Sequence, residues 1–148
     1  MRKVLTLILV FCIGLLATAY YMEYQMGLEP CPMCIVQRIA IALAGLAAFI
    51  GIIHNNFPKL YFSLTAFFSL SGGASAIRHL YLQSLPPDQI PSCGPDLNYL
   101  IENAYFSDAL VKLFIGDGNC AEVVWSLLGI SIPGWVLICA SAIFLVSL

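Results

Sequence analysis

The sequence predicts an all-α membrane protein, a four-transmembrane-helix bundle with a long outer loop that carries a short amphipathic helix. Three observations predict it. The 148-residue chain is 61% hydrophobic and only 9% charged, more apolar surface than a soluble domain of this size can hide, because burial is limited by surface-to-volume scaling. Its apolar residues gather into runs close to the length that crosses ~30 Å of hydrocarbon. Its charged residues fall between those runs or at their ends. The length suits one domain, residues 1–148.

The first span, 4–22, is uncharged and follows Arg2 and Lys3. The basic start and Ala17-Thr18-Ala19 would also suit a cleaved leader, but the apolar run exceeds the ~7–15 residues of a signal-peptide core, so it reads as a span. The second, 35–53, is apolar except for Gln37 and Arg38 in its first turn. The third, 60–80, is apolar as far as Arg78 and His79. The fourth, 133–148, opens on Pro133, which suits a first helical position where no N–H is needed. It reaches only roughly 24 Å at ~1.5 Å per residue, so it tilts little, begins nearer Leu127, or is cut short. Small residues recur at helix-turn spacing, Ala40, Ala44 and Ala48 in the second span, Gly72 and Ala76 in the third. They let backbones approach closely in lipid, or simply fill apolar helices.

With both termini cytoplasmic, Lys and Arg tie across the membrane: Arg2, Lys3 and Lys59 inside, Arg38, Arg78 and Lys112 outside. The basic start of the first helix breaks the tie. All 8 acidic residues then fall outside. Trp125, Trp135 and the Tyr20, Tyr21, Tyr24 cluster lie near the outer interface, as an aromatic belt would. The outer loop is 81–132. Pro86, Pro87, Pro91 and Pro95 keep its first part extended. Apolar positions 97, 100, 101, 104, 105, 109 and 113 follow helical spacing. They predict one short amphipathic helix, resting on the membrane surface or packed on the outer end of the bundle. Gly116-Asp117-Gly118-Asn119 then makes a turn into Cys120.

The cysteines carry the chemistry. Of 6, Cys12 and Cys139 lie inside spans and read as inert buried thiols. Cys31, Cys34, Cys93 and Cys120 all lie on the outer side, where an oxidising compartment permits disulfides. Cys31-Pro32-Met33-Cys34 stands where the second span begins. Cysteines three apart at a helix start share a face, and the helix N-terminus favours the thiolate, the form that attacks. So small a ring is a weak staple, and redox cycling explains it better.

Arg38 lies one turn deeper on the same stripe. A cation there is expensive and signals function; it suits a quinone carbonyl and the negative charge that develops on it. The bland alternative is an arginine snorkelling to headgroups. Gln37 is able to donate or accept a hydrogen bond, but reads rather as facing polar neighbours. His79, level with Arg38, is fit to bond a quinone oxygen or to relay protons, or is simply hydrated, and His54 in the inner turn gets no role.

A bridge between Cys93 and Cys120 would close roughly 3–4 kcal/mol of chain entropy as a staple. The extended setting of Cys93, in Ile90-Pro91-Ser92-Cys93-Gly94-Pro95, favours exchange with a partner thiolate instead. Zinc is the competing use of four cysteines, but structural zinc sites usually draw on two closely spaced pairs, and Cys93 and Cys120 are far apart. No metal is expected. No phosphate-binding glycine loop, Ser–His–Asp set or nucleic-acid patch is visible.

Four segments together resemble the DsbB family, over nearly the whole chain. They are Cys31-Pro32-Met33-Cys34-Ile35-Val36-Gln37-Arg38, Cys93 after a proline-rich stretch, Gly118-Asn119-Cys120-Ala121-Glu122, and Leu128-Gly129-Ile130-Ser131-Ile132-Pro133-Gly134-Trp135. The resemblance implies a thiol–quinone oxidoreductase of the bacterial inner membrane with its redox cysteines on the periplasmic side. It implies that Cys93 forms a mixed disulfide with a reduced DsbA-like thioredoxin-fold protein and that Cys120 is its partner in the loop. Electrons then pass to Cys31 and Cys34. Cys34 meets ubiquinone or menaquinone as a thiolate, with Arg38 supporting the ring and His79 nearby. Some members carry an acid where Gln37 stands. Within the same chemistry, a paralogue serving one dedicated DsbA-like partner, or an enzyme similar to vitamin-K-epoxide reductase, would also fit, although the latter normally carries its CxxC nearer a late span. A non-catalytic scaffold braced by its disulfides is the reading from another class. Exchange between the pairs requires the long loop to bring Cys120 or Cys93 to Cys31 and Cys34.

Overall fold

The computed structural model describes residues 1–90, 92 and 97–148. Among them, α1 (Arg2–Met26), α2 (Pro32–His54) and α3 (Pro58–Ser84) are long and apolar enough to cross a membrane. Two short helices follow, α4 (Leu97–Glu102) and α5 (Phe106–Ile115), and then α6 (Ile132–Ser147), which is apolar but shorter. The chain is an integral membrane protein. Lipid is the solvent that suits the exposed side chains of Leu7, Val10 and Ile13 on α1, Ile39 on α2 and Phe67 on α3.

Each helix starts and stops for a local reason. α2, α3 and α6 carry proline in the first turn, where the missing N–H costs no intrahelical bond. α1 ends at Gly27 and α2 at Asn55, both left-handed, with their N–H groups on Met22 O and Gly51 O, the usual way to stop a helix and satisfy its last carbonyls.

α2 packs against α1 and α3, and α3 packs against α6. One apolar core joins Leu5, Ile8 and Cys12 of α1, Ile41, Ala44 and Ala48 of α2, and Ile143 of α6. The small residues mark the seams. A Cβ on Gly72 would stand 3.2 Å from Ala40 Cβ, and one on Gly45 would stand 3.1 Å from Cys12 Cβ. Close backbone approach, not filler, is their role. Thr65 and Ser69 are satisfied within the bundle, as lipid demands: Thr65 donates to Tyr61 O, and Ser69 donates to Ala140 O across to α6.

Two expectations are corrected. The last apolar helix does not begin near Leu127, because Ser126–Leu127 and Ile130–Ser131 form a small antiparallel hairpin. Leu128 and Gly129 turn it with φ 54° and 79°, the left-handed pair that matches strand twist in a two-residue turn. The loop helix expected over 97–113 is two helices. Asn103 donates its side-chain amide to Tyr99 O at 2.8 Å. Ala104 turns left-handed at φ 58°, and Tyr105 N–H reaches back to Leu100 O at 2.9 Å. That closing bond ends a helix. The apolar spacing survives the break because Leu97, Leu100 and Ala109 still share one cluster, joined by Ile35 and Leu113. Two smaller differences follow: α3 runs on to Ser84, and the proline-rich stretch holds a 3-10 turn at Pro87–Gln89.

Candidate redox site

Cys31 is the N-cap of α2. Its backbone is extended (φ −73°, ψ 165°), and its sulfur accepts the Cys34 N–H at 3.4 Å. The two sulfurs are 3.0 Å apart. Pro32 fixes the first turn, so both thiols are presented at the helix start, where backbone N–H groups favour a thiolate.

Cys120 reaches this place from far along the chain. It sits in the 3-10 turn Gly118–Ala121, fully buried, with Met33 and Leu82 in one apolar cluster. Gly116 allows the approach: its φ is 84°, and a Cβ there would lie 2.6 Å from Leu82 Cδ1 and 2.9 Å from Met33 Sδ. Asp117 then holds the turn, its Oδ1 accepting Asn119 N–H at 3.0 Å and its Oδ2 pairing with Lys112 of α5 at 3.0 Å. Cys120 is therefore already beside Cys31, without the loop movement that the sequence suggested. The donor atoms of Cys31, Cys120 and His79 all lie within 4.8 Å of one another.

His79, on α3, is buried. The Gln37 amide donates to His79 Nδ1 at 3.3 Å, which leaves the ring proton on Nε2, 3.8 Å from Cys31 Sγ. Gln37 is thus buried, and the polar neighbour it faces is His79, to which it is hydrogen-bonded. The sulfurs also tune one another. Cys31 holds its proton firmly, raised above the ordinary thiol range by hydrogen bonds to Cys120 and Cys34 and by burial. The hydrogen bond from Cys31 in turn lowers Cys120 to about 7, with burial opposing and backbone hydrogen bonds from Asp117 and Met33 assisting.

Two cavities meet at Cys34. The larger, about 300 Å³, runs between α1, α2, the 124–127 segment and α6, with Leu15, Ile41, Trp125 and Trp135 among its walls and Arg38 and Gln37 beside Cys34. The smaller, about 40 Å³, is lined by Cys31, Cys34, His79, Gln83, Asn119 and Glu122, among others. Arg38 is held by α1: it pairs with Glu23, donates to Ala19 O at 3.2 Å and lies 5.1 Å from the Tyr20 ring centroid. It is anchored to protein and not snorkelling.

A model of one family, described as "Disulfide bond formation protein DsbB", matches residues 1–148. The chain belongs to the DsbB family. Similar proteins, each named Disulfide bond formation protein B, include one from Saccharophagus degradans, 46% identical over 93% of this chain and 84% of its own length. Another, from Hahella chejuensis, is 48% identical over 84% of this chain and 78% of its own. A third, from Marinobacter nauticus, is 42% identical over 99% and 89%. As a DsbB-family member the chain is an enzyme, a disulfide oxidoreductase.

The candidate site brings together Cys31, Cys34, His79 and Cys120, with Arg38 and Cys34 both in the wall of the larger cavity. Cys93 lies outside the described residues, as do Pro91 and Pro95. His79 lines the smaller cavity and not the larger. Cys12 is buried as expected, but Cys139 is only partly buried and lines the larger cavity. Sequence reasoning missed Glu23, Gln37 and the Lys112–Asp117 pair. Glu23 carried a signal, an acid at the outer end of the first span on the same side of the membrane as Arg38; the other pairings depend on tertiary geometry alone. The larger cavity fits a quinone by its chemistry: mostly apolar walls with indole rings, a thiol, and a guanidinium where a ring carbonyl needs a donor.

Proposed function

We propose that this chain oxidises a periplasmic DsbA-like thioredoxin-fold dithiol protein and passes the electrons, through Cys93, Cys120, Cys31 and Cys34, to ubiquinone or menaquinone in the bacterial inner membrane. The observation that carries the reading is the position of Cys34, in the wall of both cavities, with Cys120 buried beside its neighbour Cys31.

The thiol steps follow from exchange chemistry. A partner thiolate attacks Cys93 of a Cys93–Cys120 disulfide, and Cys120 leaves. Cys120 attacks Cys31 of the Cys31–Cys34 disulfide, and Cys34 leaves as a thiolate at the α2 start. The partner's second thiolate then attacks the partner's own sulfur in the mixed disulfide, and Cys93 leaves. Cys93 next attacks Cys120 of the Cys31–Cys120 bond, re-forming Cys93–Cys120 and releasing Cys31. Each step exchanges one S–S bond for another, so the two electrons gained from the partner come to rest on the α2 pair. Cys120 needs no carrier motion, since the 116–121 turn already seats it against Met33 and Leu82.

A quinone bound in the larger cavity would accept two electrons and two protons. Arg38 would hold one ring oxygen and offset the negative charge there, while Glu23 fixes the guanidinium from behind. Of the two roles that suit His79, the proton role is the one its position supports, because Nε2 faces Cys31 and Nδ1 is taken by Gln37. In this reading α6 is a fourth span, both termini are cytoplasmic, and the exposed Phe106, Leu110 and Phe114 of α5 rest on the outer membrane surface.

Stopped-flow quinone absorbance with a reduced DsbA-like donor tests the proposal. Cys34→Ser should abolish quinone reduction. Cys120→Ser, whose Cys93 is a free thiol, should accumulate a Cys93 mixed disulfide when mixed with the oxidised donor, whose own S–S bond is the one broken. Quinone reduction by Cys34→Ser at the wild-type rate, with no Cys93-linked adduct in Cys120→Ser, would overturn it.

A further inference from the structure

We infer that the fully reduced enzyme holds a thiophilic cation, Zn²⁺, between Cys31, Cys120 and His79, and that this ion arrests exchange between the two cysteine pairs. The regulatory half of the inference rests on the proposed function; the binding half does not.

Spacing along the chain argued against zinc, because Cys93 and Cys120 are far apart. Folding changes the donor set. Cys31 comes from the start of α2, His79 from α3 and Cys120 from the 3-10 turn, and their donor atoms converge within 4.8 Å. Two thiolates and an imidazole are a ligand set zinc favours, and sites with three protein ligands leave a fourth position open. The Cys34 sulfur lies 3.0 Å from that of Cys31, beside the three donors. His79 and Cys120 are buried, so the donors are already drawn out of competing water.

The histidine is also supported as a metal ligand should be. Ligating imidazoles nearly always bond a second group through their other nitrogen, which fixes the ring and its tautomer. Here Gln37 occupies Nδ1 at 3.3 Å while Nε2 faces Cys31 at 3.8 Å. On metal binding the ring proton moves to Nδ1, and a half-turn of the Gln37 amide presents Oε1 to accept it. Cys31 and Cys120 enter as thiolates and release their protons to solvent. No electrons move. The site exists only when Cys31 and Cys120 are both reduced, so it forms when the acceptor side has stalled, and it ties up the two sulfurs that must next exchange.

The test is a Co²⁺ titration of the full-length protein in detergent micelles, reduced with a phosphine and kept anaerobic. Roughly one equivalent should bind with thiolate-to-cobalt charge transfer and the visible bands of a four-coordinate ion, and Zn²⁺ should displace it. Cys120→Ser and His79→Ala should each weaken binding by at least about tenfold. Cys93→Ser and the Cys12→Ser/Cys139→Ser double variant should leave it unchanged. Helical circular dichroism monitors folding, and His79→Gln replaces His79→Ala if the latter fails to fold. Absence of a thiolate–cobalt band, or affinities within about twofold of wild type for both Cys120→Ser and the histidine variant, would overturn the site. Zn²⁺ should also slow dithiol-driven quinone reduction, with recovery on adding a chelator; binding without slowing would overturn the arrest. A wild-type protein with no quinone reduction at all would count against the proposed function, while the cobalt titration would still decide the metal site.

Discussion

The two cavities that meet at Cys34 share Glu29, Val124, Trp125 and Ile132 as well, but differ in the rest of their lining. The larger is walled by leucine, isoleucine and tryptophan from α1, α2 and α6, and its one cation, among the described residues, is neutralised by Glu23. The smaller is the more polar side, adding Cys31, His79, Gln83, Asn119 and Glu122 to the shared residues, with Pro133 beside them. Cys34 is the only cysteine among the described residues that lines both. The difference separates two tasks. Thiol exchange needs donors, acceptors and proton traffic; a lipid-borne acceptor needs a dry slot. The Cys34 sulfur is the redox group they share, so changes confined to either side should produce separable defects.

Arg38→Ala breaks the apolar side and should have the largest effect beyond loss of Cys34 itself. Removing a charge-stabilising donor typically lowers turnover by roughly 100-fold, and kcat/KM for quinone should fall by about that much. Exchange between Cys120 and Cys31 should proceed normally in the same protein, read as mixed disulfide resolving in the absence of quinone. Equal loss of both steps would contradict the division between the cavities. Glu23→Gln sharpens the point, since it keeps a hydrogen-bonding group beside Arg38 but removes the counter-charge. It should change quinone affinity by a few-fold, about 1 kcal/mol or less for a partly exposed pair.

Gly116→Val breaks the polar side. The backbone at φ 84° and ψ 177° is essentially reserved to glycine and costs an L residue roughly 1–3 kcal/mol, and the new Cβ meets Leu82 and Met33 well inside contact distance. The turn must lift, carrying Cys120 away from Cys31. Oxidation of the DsbA-like donor should slow by roughly tenfold, the rate equivalent of about 1.4 kcal/mol. Dithiothreitol reaches Cys31 and Cys34 directly, so quinone reduction driven by it should hardly change. An equal slowing with both donors would show that the turn supports the whole bundle instead.

These two sides were not equally legible in the sequence. The apolar spans, the CxxC at the start of α2 and Arg38 one turn deeper could be read, because each depends on a local pattern: an apolar run, a helix start, a three- or four-residue stride. The small-residue stride Ala40, Ala44, Ala48 also marked a true seam. What could not be read depended on long-range geometry. Gln37 meeting His79 and Cys120 meeting Cys31 need α3 and the outer loop to be placed first. The break at Ala104 was hidden because apolar positions kept helical spacing on both sides of it. The hairpin at 126–131 was hidden for a related reason, since its residues continue the hydrophobic run of α6.

The finest contrast within the polar side is electrostatic, and in rate it is the smallest. With all thiols reduced, Cys120 is lowered to about 7, first by the hydrogen bond from Cys31. A lowered value means that the thiolate is lost as pH falls through about 7 and is nearly complete about one unit above it. Iodoacetamide labelling of Cys120 in the reduced protein, followed by mass spectrometry, should therefore rise about twofold between pH 7 and 8 and fall about fivefold between pH 7 and 6. Cys31→Ala removes the donor. The labelling midpoint should then move up toward the ordinary thiol value of about 8.5, held back only by the backbone hydrogen bonds from Asp117 and Met33 and by His79. The same loss occurs whenever Cys31 is in a disulfide, so Cys120 should be the better nucleophile when the α2 pair is reduced and the poorer one when it is oxidised. An identical midpoint with and without the Cys31 thiol would mean that the two sulfurs do not share a proton, and that their closeness serves exchange alone.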